Sequence, residues 1–161
     1  CVTGRPCYLE EKKDKERLLA IAKASSSLPY VCPITYVDGR PMLDGGIVDS
    51  IPVLRAIEQG YERNVVVLTR NRGYRKSEKD IRVPRFIYTR YPRLRVVLSR
   101  RCQVYNQQLE MIERMEDEGR IIAIRPEQRV VVNRIEKDIK KLTSLYEEGY
   151  ACAEKVMGQF L

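Results

Sequence analysis

Apolar residues recur along this chain with two spacings, helical and extended, and the spacing changes where glycine, proline or serine intervenes. Val2 to Glu10 reads as a hairpin-like start, with Gly4-Arg5-Pro6 as its turn and Cys7-Tyr8-Leu9 as a short strand. Leu18, Leu19, Ile21 and Ala22 give Asp14 to Ala24 the apolar side of a helix, ended by Ser25-Ser26-Ser27 and Pro29. Ile34 to Val37 and Pro41 to Leu43 are short strands on either side of Asp38-Gly39, a strong hairpin signal because both turn residues need a positive φ. A short helix follows from about Ser50 to Gln59, with Pro52 near its first turn and Gly60 just past its end. Asp49, just before Ile51-Pro52, reads as its N-cap. Asn64 to Thr69 is a continuous apolar strand of the kind buried on both faces in a parallel sheet.

The second half continues the alternation. Pro84 and Pro92 interrupt any long element between Asn71 and Leu98. Ser99 to Glu118 is a helix with Tyr105, Leu109, Ile112 and Met115 on one face, closed by Gly119. Arg120 to Ile124 is a strand ended by Arg125-Pro126. Asn133 with Glu136 resembles a capping box for a helix with Ile135, Ile139, Leu142 and Tyr146 on its stripe, stopping near Gly149. A last helix is expected from Tyr150 to Phe160. Strand, helix and strand in succession imply an α/β fold, with a mostly parallel sheet covered by helices. The length, 161 residues, suits a single domain: a core over about 1–70, then a basic segment and a helical region over about 71–161.

Composition narrows the chemistry. There is no histidine, so a Ser-His-Asp or Cys-His site within the chain is excluded, as is histidine-ligated zinc. Any base must be a carboxylate, a lysine or a tyrosine. The five cysteines have no CxxC and no metal-ligand spacing, and they read as thiols of a reducing, cytoplasmic setting. Neither metal nor cofactor is expected. No apolar stretch approaches the roughly 18 residues that span a bilayer. No signal peptide is visible, and the chain opens on Cys1 as if inside a longer protein.

Leu43-Asp44-Gly45-Gly46 carries the chemistry. The aspartate ends an apolar strand, and the glycines after it can bend sharply or let another backbone approach. In open α/β sheets ligands bind beyond the carboxyl ends of the strands. Composition alone favours a plain turn, because Asp-Gly is the commonest turn dipeptide. The surroundings shift that balance. Ala24-Ser25-Ser26-Ser27-Leu28-Pro29, Tyr36-Val37-Asp38-Gly39 and the run from Leu43 to Val53 together resemble the second conserved block of patatin-like phospholipases. The likeness reaches upstream to Thr3-Gly4-Arg5-Pro6 and downstream to the strand at Val65 to Thr69. The C-terminal stretch, with Asn106, Gly119 and Pro126, is most similar to the bacterial branch of that family.

The resemblance implies a partial three-layer α/β fold and a serine–aspartate dyad without histidine. Its serine sits in a G-x-S-x-G elbow, and a glycine-rich loop with a basic residue forms the oxyanion hole. Carried over, Asp44 is the base, Gly45 and Gly46 shape its turn, and the substrate is a lipid ester or phospholipid. This chain contains neither a G-x-S-x-G nor a G-G-x-[RK] loop. It corresponds to the family's C-terminal half, so these residues alone are expected to be inactive. A core cut through its sheet would leave an open edge and uncovered apolar surface, favouring self-association. The alternative is a non-catalytic module that binds an anionic surface or a partner chain.

Charge adds one feature. Residues 70–101 hold ten arginines and two lysines against two acidic residues, while the remainder holds 18 basic and 20 acidic ones. Arg70, Arg72, Arg75, Arg82, Arg85, Arg90, Arg93, Arg95, Arg100 and Arg101 are interleaved with Tyr74, Phe86, Tyr88 and Tyr91. One reading is contact with anionic headgroups, led by Arg70, Arg72 and Arg75, at a peripheral membrane surface. The other is a set of ion pairs with the acidic helix from Glu110 to Glu118. Nucleic acid ranks well behind both, since no nucleic-acid motif is present. The headgroup reading predicts salt-sensitive binding to anionic vesicles without matching affinity for duplex DNA. Equal binding to both would reduce the segment to an unspecific cationic patch.

Overall fold

A computed structural model describes residues 1–77, 83–84, 86–132 and 136–158. In chain order the elements are α1 (Lys15–Ser25), β1 (Thr35–Val37), β2 (Arg40–Met42), a 3-10 turn (Gly45–Ile47), α2 (Val53–Glu58), β3 (Val65–Val67), α3 (Pro92–Asp117), β4 (Ile122–Ile124) and α4 (Ile139–Met157). They form two compact units. The first comprises Cys1–Ile51 and Lys76–Gln108, the second Pro52–Arg75 and Leu109–Leu161.

In the first unit, α1 begins where the Asp14 carboxylate accepts the N–H groups of Glu16 and Arg17. β1 and β2 pair antiparallel, with Val37 opposite Arg40, so Asp38 and Gly39 form a two-residue turn. Both take left-handed φ, 49° and 72°, as the dipeptide predicts. The Arg17 fork holds both oxygens of Asp38, at 3.1 and 2.8 Å, and so ties α1 to the hairpin tip. The core of this unit gathers Ile47, Leu94 and Leu98, with Leu43, Val48, Tyr88, Tyr91 and Val97 packed around them. The expected strand at Cys7-Tyr8-Leu9 does not form. Gly4 instead takes a φ of 64° and lies so near α3 that a Cβ would stand 3.2 Å from Arg93 O.

In the second unit, β3 and β4 pair parallel, with Val66 opposite Ala123. Val66 and Leu68 are buried, but Val65 and Val67 are 51% and 71% exposed. The run expected to be buried on both faces is therefore covered on one, because this sheet has two strands and a single packed side. Leu109, Ile112 and Met115 are buried on the C-terminal part of α3.

α3 starts at Pro92, seven residues before the expected Ser99, because a proline in a first turn has no N–H to lose. Leu94, Leu98 and Cys102 continue its buried face upstream, spaced four apart among arginines. α4 runs unbroken through Gly149, where two helices were expected. Asp138 caps it, accepting the N–H groups of Lys140 and Lys141. Asn133, Ile135 and Phe160 lie outside the described residues, so the expected capping box is not described. The expected stripe of Ile139, Leu142 and Tyr146 is exposed; Cys152 lies on the buried side, with Leu145 and Val156 half-buried.

The second unit also contains the ion pairs of the basic segment. Arg75 contacts Glu113 at 2.8 Å and Glu110 at 3.5 Å, and Gly73 N–H donates to Glu113 at 3.0 Å. The Arg75 hydrogen bond, helped by Gly73 N–H, holds the Glu113 carboxyl at about 2, below its ordinary 4.5. A depressed folded value stabilises the fold above pH 4.5, and that stabilisation is lost as pH falls toward 2. The urea midpoint is expected to drop across this window. Glu113→Gln should lower it at neutral pH and flatten the acid dependence; an unchanged acid slope would overturn the assignment.

Candidate functional site

Asp44 stands two residues beyond β2, half-buried, at the start of a hydrogen-bonded turn. Its N–H donates to Ser27 O at 2.9 Å, just past the end of α1. Ser27 is itself buried, donating to Lys23 O at 2.7 Å and sharing a hydrogen bond with the Thr35 hydroxyl at 2.8 Å. Asp44 Oδ1 accepts Gly46 N–H at 2.7 Å, an N-cap on the 3-10 turn. Oδ2 has no hydrogen-bond partner among the described residues. One oxygen thus fixes the carboxylate within the turn.

The following residues close the turn. Ile47 N–H donates to Asp44 O at 3.2 Å, and Val48 and Asp49 N–H both donate to Gly45 O, at 3.1 and 3.0 Å. The Ser50 hydroxyl donates to Gly46 O at 2.7 Å. Ile47 is buried against Leu94 and Leu98, so the turn is anchored in the core. Neither Gly45 nor Gly46 takes a left-handed φ. Gly46 matters for space: a Cβ there would lie 3.0 Å from Asp44 Oδ1. A Cβ on Gly45 would have no neighbour closer than Ser25 Oγ at 4.0 Å.

Asp49 does not cap α2. Pro52 is the cap residue of that helix, without a side-chain capping bond. Asp49 instead accepts Gln108 Nε2–H at 2.6 Å on Oδ1, and the Tyr8 hydroxyl on Oδ2. Gln108 Oε1 accepts Ser50 N–H at 3.1 Å. These tertiary partners satisfy Asp49 better than a neighbouring helix end could. Gln108 and Tyr8 carry no signal in the sequence: one ends the polar run Asn106-Gln107-Gln108 beside a buried stripe, the other is one tyrosine among ten.

Residues 8–57 match the model of the patatin-like phospholipase family. The match holds Asp44, Gly45, Gly46 and Asp49 and stops short of β3. Residues 91–161, from the approach to α3 through α4, match a domain of unknown function, DUF6363. No curated protein and no solved structure matches the chain.

Beyond the patatin-like stretch, the three arginines named from sequence lie in the second unit. Arg70 stacks over Tyr74, 5.2 Å from the ring centroid, and donates to Val130 O at 3.5 Å. Arg72 grips both Asp117 oxygens, at 2.8 and 2.7 Å, and reaches Glu116 at 3.3 Å. Arg75 is held by Glu113 and Glu110. Arg82 and Arg85 lie outside the described residues. Among the described residues no cluster of His, Cys, Asp or Glu could hold a metal ion, and no helix is long and apolar enough to cross a membrane.

The cap separates two variants of Asp44. Asp44→Ala removes the acceptor of Gly46 N–H and should cost about 1 kcal/mol, whereas asparagine caps as well as aspartate and should cost little. Chemical denaturation of both variants checks this; equal losses would argue against the cap.

Proposed function

We propose that this chain supplies the carboxylate base of a serine–aspartate lipid acyl hydrolase, and that the base is Asp44. The observation that carries the reading is the turn itself: Oδ1 held by Gly46 N–H, Oδ2 without a partner among the described residues. The patatin-like match over residues 8–57 supports the reaction class. A serine hydroxyl set against Oδ2 would lose its proton to Asp44 as its oxygen attacks the ester carbonyl. The proton then passes to the departing alcohol, leaving an acyl-enzyme. Asp44 next takes a proton from water, which releases the fatty acid. The serine and the oxyanion donors would come from polypeptide outside these 161 residues, completing a three-layer fold.

Uncovered apolar surface is consistent with such completion. Leu18 and Leu19 of α1 are exposed, Leu19 at 69%, on the side read as apolar. Val65 and Val67 leave one face of the parallel pair open. The same surfaces favour the second reading, a module that pairs with another chain. Headgroup contact falls most naturally to Arg70, since Arg72 and Arg75 have their charge matched by carboxylates.

A nitrophenyl ester assay tests the hydrolase. The 161-residue chain should show no turnover, and joining it to a patatin-like half that carries the G-x-S-x-G should create it. In the joined protein Asp44→Asn should lower turnover about 10²–10⁴-fold. Asp44-dependent turnover by the chain alone, or full activity of the asparagine variant, would overturn the proposal.

A further inference from the structure

The turn that presents Asp44 is built from residues 44–50, and local bonds alone leave both its ends loose. Ser27 O fastens its start through Asp44 N–H. Its end is fastened by the Tyr8 hydroxyl on Asp49 Oδ2 and by a side chain from α3. The Gln108 amide donates through Nε2 to the Asp49 carboxylate at 2.6 Å and accepts Ser50 N–H through Oε1 at 3.1 Å. We infer that Gln108 is a positioning residue for the Asp44 base: its two-ended amide clamps residues 49 and 50, and so keeps Gly46 N–H under Asp44 Oδ1. The inference rests on the assignment of Asp44 proposed above.

The chemistry of the clamp demands an amide. Asp49 needs a donor and Ser50 N–H needs an acceptor, and a primary amide offers both from one planar group. The donor side is charge-assisted, which makes it the stronger bond. Asp49 has its other oxygen on the Tyr8 hydroxyl, so both oxygens have a partner. From residues 49 and 50 the restraint runs back through two short links. Asp49 N–H is bonded to Gly45 O at 3.0 Å, and the Ser50 hydroxyl to Gly46 O at 2.7 Å. Gly45 and Gly46 are the residues whose placement decides where the Asp44 carboxylate sits. Glycine adds backbone freedom there, so an outside restraint has more to hold than at other residues.

Two variants separate hydrogen bonding from bulk. Gln108→Leu keeps the volume and removes both bonds. Gln108→Glu keeps the shape but sets a carboxylate beside Asp49, and this like charge raises the pKa of the pair. Once a proton is shared between them, the neutral carboxyl again offers one donor and one acceptor. Tyr8 is the other titratable group bonded in the clamp.

Amide hydrogen exchange at Gly46, measured by NMR on the 161-residue chain, reads the clamp without any activity. Gln108→Leu should speed Gly46 exchange at least about tenfold, while Leu98 in α3, a folding control in the same unit, keeps its rate. Gln108→Glu should follow leucine at neutral pH and return toward wild type in acid. Wild-type exchange at Gly46 in Gln108→Leu, or a glutamate variant insensitive to pH, would overturn the clamp. In the joined protein Gln108→Leu should lower kcat with KM little changed. Full turnover by Asp44→Asn would sink the base assignment instead, whatever the exchange rates show.

Discussion

Burial of Ile47 against Leu94 and Leu98 ties the Asp44 turn to the core of the first unit. Ile47 is the last residue of the 3-10 turn that Asp44 caps, and it is 4% exposed. Its side chain enters the layer formed by α3, so the turn cannot lift without opening that core. Removing such a buried aliphatic group typically costs a few kcal/mol, well above any single bond in the turn. Hydrophobic burial therefore sets where the turn lies, and hydrogen bonds decide how it is shaped.

The polar bonds then act in series. Ser27 holds the entry, Gly46 N–H holds the carboxylate, and Asp49 with Gln108 holds the exit. Asp44 Oδ1 is occupied within the turn, and Oδ2 has no hydrogen-bond partner among the described residues. An aspartate used only as a cap would have the same first bond. What supports a further role is its surrounding: a patatin-like stretch over residues 8–57, and a restraint at each end that a plain turn does not need.

The basic segment shows how composition can mislead about availability. Ten arginines within residues 70–101 suggest an anionic partner. Arg72 and Arg75 nevertheless meet Glu110, Glu113, Glu116 and Asp117 on α3. Exposed pairs of this kind contribute little each, but as a network they fix the loop after β3 to its own helix. Within it the Glu113 carboxyl, bonded by Arg75 and by Gly73 N–H, is drawn down to about 2.

Local rules carried the sequence a long way. Asp38-Gly39 determined the hairpin and its register, because few residues tolerate two left-handed conformations in succession. Asp14 began α1 and Gly119 ended α3 on the same footing. Asp44-Gly45-Gly46 could be recognised from the residues around it. Tertiary structure decided the rest. Asp49 went to Gln108 and Tyr8, 59 and 41 residues away, rather than to the helix beside it. The Val65–Val67 strand kept one face open, and α4 passed through Gly149, because packing partners override local preference. Periodicity reports that a face is apolar; only the folded chain determines whether anything covers it.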